Sequence, residues 1–281
     1  MAKISVIGIC GQSVFMTVDH FHENGETISS DSVFEEIGGK GINQAIAVAK
    51  MGANVSFLSA VGNDNCAKDC KKLLDDFKIK PYLIEKQDKK TPLAFILTDK
   101  NGENRVTVHK SAELDPEDVE LFREEIISSD ILLIQNEVPE NVNKKAIEIA
   151  FQNNVKVILN PAPARKIDDE TASKIFLVIP NEQESEFINH EKFKNSIVTL
   201  GGEGCLINKK TKIPARKVVP VDTTGAGDTF CGVLSVCIAE EMTLVKAAEY
   251  AVCASGISVT KKHVIDSIPY REEIERSINR E

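Results

Sequence analysis

Short β-branched runs alternate with amphipathic stretches along most of the chain. Residues 4–9, 55–60, 131–135, 155–160, 175–180 and 196–200 are apolar and rich in Val, Ile and Leu, the composition of buried strands. Between them, residues 40–51, 67–77, 115–128, 140–153 and 244–260 place apolar side chains at helical spacing. The run after Asp228, from Thr229 to Ala239, is apolar nearly throughout and reads as a buried helix. Strand and helix in alternation predict an α/β fold in three α/β/α layers, with a mostly parallel central sheet and the loops after each strand gathered at one edge.

Two segments break the rhythm. Residues 28–37 and 93–109 read as antiparallel β-structure, the second interrupted by the turn sequence Asp99-Lys100-Asn101-Gly102. Leu93, Phe95 and Leu97 alternate with Ala94, Ile96 and Thr98, so both faces of that strand are fairly apolar. A sheet apolar on both faces needs a cover on each, such as a substrate on one side and a second subunit on the other. The expected organisation is one domain over residues 1–281, with a small β lid inserted at about residues 12–38 and 92–110 and a homodimer formed through it.

Composition narrows the partners. A formal net charge of −9 argues against nucleic acid, because phosphate-backbone binding needs a concentrated basic surface. No run approaches the roughly 18 uncharged apolar residues of a membrane span. The N-terminal MAKISVIGIC reads as a first strand rather than a signal peptide. The seven cysteines (Cys10, Cys66, Cys70, Cys205, Cys231, Cys237, Cys253) are scattered, without a CxxC pair, as in reduced core residues of a cytoplasmic protein. An acidic chain that holds a polyphosphate must rely on helix N-termini, a few lysines and a divalent cation.

Four motifs bear on that chemistry. In Val221-Asp222-Thr223-Thr224-Gly225-Ala226-Gly227-Asp228-Thr229-Phe230, Gly225, Ala226 and Gly227 precede the buried helix, so their N–H groups and the positive end of the helix dipole would face an anion. Asp228 in the first turn would be aimed at the same spot and could take a proton from an attacking hydroxyl. The same residues also fit a tight turn with an acidic first-turn residue. Gly38-Gly39-Lys40-Gly41-Ile42-Asn43-Gln44-Ala45 opens the first long helix, with Lys40 and Asn43 offering hydrogen bonds to hydroxyls; a structural turn with a solvated lysine is the alternative. No GxxxxGK[ST] phosphate-binding loop occurs. Asn181 and Glu184 would share one side of a helical first turn, suited either to a hydrated magnesium ion or to an ordinary cap. Thr199-Leu200-Gly201-Gly202-Glu203-Gly204 is a flexible turn after a strand that could lie against a nucleotide.

In this order and approximate spacing, the four motifs resemble those of the ribokinase-like carbohydrate kinases, the PfkB family, and the resemblance spans essentially the whole chain. GGKGINQA, the LNPAPAR stretch at residues 159–165 and Gln135-Asn136-Glu137 look most like the ribokinase branch. The resemblance implies ATP-dependent phosphorylation of a sugar hydroxymethyl group, ribose or a related pentose. Asp228 would be the base, with Gly225, Ala226 and Gly227 stabilising the transferring phosphoryl group. It further implies that Asn181 and Glu184 position Mg2+ and the ATP phosphates, Glu184 through water. Thr199, Gly201 and Gly204 would line the nucleotide site, and Gly39, Lys40, Asn43 and Glu137 would contact the sugar, with Gly11 and Ser13 beside them. Asp222, Thr224, Ser258 and Ser267 fall where the family often binds K+.

The chain departs from the family pattern in three places. An Asn-x-Asp type pattern after the first strand is replaced by Gly11-Gln12-Ser13, which removes a strong acceptor for sugar hydroxyls. Buried hydroxyls without partners cost about 1–3 kcal/mol each, which weakens the case for unmodified ribose. Lys110-Ser111-Ala112-Glu113 replaces a small, neutral stretch after the second lid strand, and His263 stands where the potassium loop expects glycine. Two other readings stay open: a nucleoside kinase, for which Gly11-Gln12-Ser13 leaves room for a base, and a catalytically idle sugar-binding regulator.

Overall fold

Six parallel strands, all but the edges buried on both faces, set the frame of this computed structural model, which describes residues 1–189 and 192–279. They are β1 (Lys3–Ile7), β4 (Asn54–Val61), β5 (Lys80–Glu85), β8 (Ile131–Gln135), β9 (Lys156–Asn160) and β10 (Leu177–Val178), in the order β10-β9-β8-β1-β4-β5. Ile4 pairs with Val55 on one side and Ile131 on the other, so β1 lies at the centre. Side-chain alternation divides each strand between two cores. Leu133 packs with Ile42, Phe230 and Ala247, which belong to α1 (Lys40–Lys50), α8 (Ala226–Ala239) and α9 (Leu244–Ser258). Its neighbours Leu132 and Ile134 pack with Phe122 and with Val142 of α5 (Glu140–Gln152). The three expected layers result.

Helix α1 and helix α8 touch because Gly232 has no side chain: a Cβ there would lie 2.5 Å from Ala47 Cβ and 2.8 Å from the Gln44 carbonyl oxygen. That approach brings Asn43 and Gln44 of α1 against Asp228, one turn before Gly232. All seven cysteines are free, and six are buried.

The outer segments form a four-stranded sheet in the order β3-β2-β6-β7, from β2 (Gly11–Thr17), β3 (Ser32–Gly38), β6 (Leu93–Thr98) and β7 (Asn104–His109). It is mixed rather than purely antiparallel, because β2 and β6 run parallel. Both strands leave the central sheet in the same direction, one after β1 and one after β5, and the Gln12 amide bonds the Pro92 carbonyl at 3.0 Å where they start. A third sheet, β11 (Ile197–Thr199), β12 (Cys205–Ile207) and β13 (Thr211–Ile213), continues from the β10 edge through bridges Val178 to Ser196 and Asn181 to Thr199.

Some elements differ from the pattern read in the sequence. Residues 175–180 give only the two-residue β10, and β5, with Pro81 on the sheet's edge, was not foreseen. The helix expected over 115–128 is two helices, α3 (Pro116–Leu121) and α4 (Arg123–Ile127). They meet at Phe122, whose fully buried ring stands edge-on to Tyr82 at 5.0 Å. Helix α2 (Asn65–Asp76) begins earlier than expected because Asp64 caps it through the Ala67 amide. The remaining helices are α6 (Asp169–Ser173), α7 (Glu182–Phe187) and α10 (Arg271–Ile278).

Candidate active site

Asp228 is buried in the first turn of α8, and both its oxygens are held from α1. Asn43 Nδ2 donates to Oδ2 at 2.9 Å and Gln44 Nε2 to Oδ1 at 3.0 Å. Gln44 is itself clamped: its Nε2 also reaches Asn160 Oδ1 at 3.2 Å, and its Oε1 accepts from Gln135 Nε2 at 2.7 Å. Gln135 and Asn160 are the last residues of β8 and β9, so the network ties the carboxylate to the carboxyl ends of the central strands. Asp228 is the leading cause that raises the Lys40 ammonium above its ordinary pKa. A carboxylate fixed by two donors and facing a lysine is oriented to accept a proton without changing shape.

Directly before it, Gly225 caps α8 in the left-handed region at φ 76°, and a Cβ there would lie 2.4 Å from Val264 Cγ1. Only glycine meets both conditions without strain. No atom lies within 4 Å of a Cβ built on Gly227, which therefore faces open space. The free N–H groups at the start of this fourteen-residue helix point the same way as the dipole's positive end.

Two clefts meet here. One, of about 460 Å³, is walled by Lys40, Asn181, Glu184, Gly225, Gly227 and Asp228. The other, of about 630 Å³, is more apolar and is lined by Val218, Phe230, Val252, Gly256 and Val259. They share Thr199, Gly201, Thr223 and Gly227. A polar cleft opening into an apolar one over a helix N-terminus suits a polyphosphate with a flat heterocycle attached.

The other candidates distribute around this point. Asn181 and Glu184 form a capping box on α7, with the Asn181 amide donating to Glu184 Oε2 at 2.9 Å and the Glu184 amide to Asn181 Oδ1 at 2.7 Å. Glu184 also lines the polar cleft. Gly204 lies at the end of the turn Gly201–Glu203 and abuts β13, where a Cβ would come within 2.0 Å of the Ile213 carbonyl oxygen. It shapes the wall of the apolar cleft.

On the opposite side, the Lys40 amide, next to Gly39 at the start of α1, donates to Glu137 Oε2 at 2.9 Å. Burial pushes the Glu137 carboxyl up to about 7, against the pull of Lys40. The segment carrying Glu137 is braced by Arg165, whose Nη1 donates to the Val138 carbonyl at 2.9 Å, and by the Asn136 amide, which donates to the Ala162 carbonyl at 3.0 Å. The LNPAPAR stretch thus positions Gln135-Asn136-Glu137. Gly11 begins β2 against Pro92, while Ser13 is buried with its Oγ 2.6 Å from where a Cβ on Gly38 would be. Gln12 turns to the other face and bonds Glu35 at 2.5 Å. Lys110 and Glu113 are exposed, at the rim of a small cavity that also touches Glu137.

The four residues weighed for K+ gather beneath the glycine loop. Asp222 Oδ1 accepts from the Thr224 amide at 2.9 Å, and the Asp222 amide donates to the Val259 carbonyl, next to the buried Ser258. Ser267 Oγ donates to the Val264 carbonyl at 2.8 Å, and Val264 is the residue packed on Gly225. Ser258 Oγ likewise donates to the Ser255 carbonyl. Both hydroxyl hydrogens are spent locally, and the oxygens that remain are of the kind a hard monovalent cation takes. His263 accepts the left-handed conformation at φ 67° that a glycine would otherwise supply.

Gln44, Gln135 and Asn160 were not among the expected site residues, yet they hold the central carboxylate. A polar residue at the last position of an apolar strand was the available signal for the latter two.

Residues 1–271 match the model of the pfkB family carbohydrate kinases. A ribokinase of Haemophilus influenzae is 34% identical over 294 residues, covering 96% of each chain. The crystal structure of a ribokinase from Thermotoga maritima superposes with a TM-score of 0.87 at 34% identity, over 99% of this chain and 100% of that one. A ribokinase from Cryptococcus neoformans, solved in complex with ADP, gives 0.85 at 26% identity over 98% and 99% of the two chains. With the glycine loop, its buried aspartate and the paired clefts in place over this frame, the chain belongs to the pfkB family of carbohydrate kinases.

Proposed function

We propose that this carbohydrate kinase transfers the γ-phosphoryl group of ATP to the hydroxymethyl group of a pentose, with ribose the leading acceptor. The observation that carries the reading is Asp228, buried, doubly held by Asn43 and Gln44, in the same first turn as Gly225, Ala226 and Gly227, where the Ala226 amide closes the loop on the Thr223 carbonyl at 3.3 Å. The acceptor hydroxyl lies between them. Asp228 takes its proton as the oxygen attacks the γ-phosphorus, the bond to the bridging oxygen breaks, and ADP leaves. The glycine-loop N–H groups and Lys40 stabilise the charge spread over the transferring group. Gly39, Lys40, Asn43 and Glu137 hold the sugar, and Gly11 and Ser13 approach it from β2.

Thr199, Gly201 and Gly204 border the nucleotide, with its base in the apolar cleft. Asn181 and Glu184 would hold a hydrated Mg2+ against the phosphates, which would supply positive charge there. Asp222, Thr224, Ser258 and Ser267 would hold K+ beneath the loop, stiffening it. The chain works as one domain over residues 1–281, and its segments 12–38 and 92–110 act as a lid that closes over the acceptor and excludes water. A homodimer through the lid is supported by Val33 and Phe95, exposed by 61% and 44% on one face of that sheet. No helix among the described residues is long and apolar enough to cross a membrane. Seven free cysteines support a cytoplasmic location.

ADP release measured across pentoses, hexoses, sugar phosphates and nucleosides tests the reading. Mg-dependent release with a pentose, abolished in Asp228→Asn, is expected; preference for a nucleoside, or release with no acceptor, would overturn it.

A further inference from the structure

The four-stranded sheet turns one face toward the glycine loop. Pairing places Ser13 opposite Glu36 and Phe15 opposite Phe34, all on that face, with Ala94 and Ile96 beyond them. Contacts fix the direction: the Phe34 ring lies 3.8 Å from the ring of His263, and Glu36 Oε1 accepts from the Val264 amide at 3.2 Å. Val264 is the residue packed against Gly225. Glu36 therefore stands beside the glycine loop, one side chain away, on the face of the sheet that also carries Ser13. Among the described residues of this face, as β-pairing assigns them, it is the one ionisable group.

A half-buried carboxylate among the neutral side chains of this face is costly unless something uses it. Burial pushes its carboxyl up from the ordinary value, and the amides of Val264 and Ile265 offset part of that. Two oxygens carry about four acceptor positions, so two amides leave about two unfilled. Among the described residues, the titratable side chains beside it are His263 and Asp266. Opposite, Ser13 is short, and its Oγ lies tight against Gly38. The strong acceptor of this roof is thus on β3 rather than β2.

We propose that Glu36 is a specificity-determining contact, accepting hydrogen bonds from the hydroxyls of a neutral polyhydroxyl acceptor held beneath the sheet. This rests on the carbohydrate-kinase reading above. One oxygen stays on the Val264 amide, anchoring the roof to the glycine loop, while the other reads the acceptor. A mere latch between sheet and loop would make the same Val264 contact, and the glutamine variant separates the two roles, because its amide oxygen still accepts from Val264 but its charge is gone.

The test is ADP release by wild type, Glu36→Gln and Glu36→Ala with D-ribose and with 2-deoxy-D-ribose, alongside thermal melting. A charge-assisted hydrogen bond is roughly twice as strong as a neutral one, so Glu36→Gln should raise the KM for the preferred sugar about tenfold. The KM for ATP and the melting temperature should stay near wild type, and discrimination between the two sugars should shrink. A wild type active on a sugar, with Glu36→Gln matching it in acceptor KM and discrimination, would overturn this assignment alone. A wild type inactive with every sugar would overturn the carbohydrate reading as well.

Discussion

Replacing Gln44 by leucine isolates what the polar network contributes. The side chain is fully buried, and leucine approximates its volume, so packing is nearly kept while three hydrogen bonds are lost. The losses are unequal. Asn160 lines the cleft and can recover a water. Gln135 Nε2 cannot, being fully buried with Gln44 as its partner, and leaving such a group unpaired costs about 1–3 kcal/mol. Asp228 Oδ1 loses a bond to a charged acceptor, worth about 1.5–3 kcal/mol, although Asn43 still holds Oδ2. The sum is about 2.5–6 kcal/mol. At about 2 °C per kcal/mol for a chain of this size, the melting temperature should fall by roughly 5–12 °C. A carboxylate free to rotate about one remaining contact is also misaimed, and turnover should fall by about tenfold or more with the KM for ATP little changed. Differential scanning calorimetry and steady-state ADP release read the two effects. Wild-type turnover in a variant that melts roughly 5–12 °C lower would show that the network serves folding and not the reacting geometry. A melting temperature within 1–2 °C of wild type would refute the hydrogen-bond accounting itself.

Three further variants probe neighbouring parts. Asp228→Asn should lower turnover by about 100-fold or more with a modest change in ATP affinity, and near-normal turnover would remove the base assignment. Gly227→Val meets open space in the fold, so it should melt like wild type while blocking the phosphoryl position; an active variant would place the phosphate elsewhere. Glu137 tests linkage: burial raises its folded carboxyl from 4.5 to about 7, so its stabilising contribution is present below about 4.5 and is lost as pH rises through 7. The melting difference between wild type and Glu137→Gln should therefore shift against wild type from pH 5 to pH 8, and a pH-independent difference would contradict the shift.

The placement of the glycine loop and Asp228 was legible in the sequence because it is local. Gly225-Ala226-Gly227-Asp228 occupies consecutive positions before a visibly buried helix, and β8 matches its apolar run residue for residue. Gln44 was not legible, although it is next to Asn43, because its burial depends on Gly232, far along the chain, letting α8 close on α1. Nothing in a helical pattern says which polar residue will be covered by a helix that distant. The Asn181 and Glu184 pair shows the converse. The cap reading holds, one Glu184 oxygen closing the capping box, and the same residue lines the cleft where the magnesium reading would need it. Likewise the direction of β2 relative to β6 was hidden, because strand pairing between segments separated by two central strands leaves no mark in either segment.

Where each group is anchored explains why the reaction reads more clearly than the acceptor. Asp228, Gln44, Gln135 and Asn160 connect two helices and two central strands, so a change in any one leaves buried polar atoms unpaired in the core. Their residue types are dictated by folding and chemistry together. Ser13 and Glu36 instead belong to a sheet whose outer strands are largely exposed, β7 along its whole length. A carboxylate can move there from one strand to the residue paired opposite at little cost to the core, because the alternation that keeps side chains on one face is preserved. If Glu36 reads the acceptor as proposed, its preference is set by a pair across β2 and β3, which motifs read along a single strand cannot report.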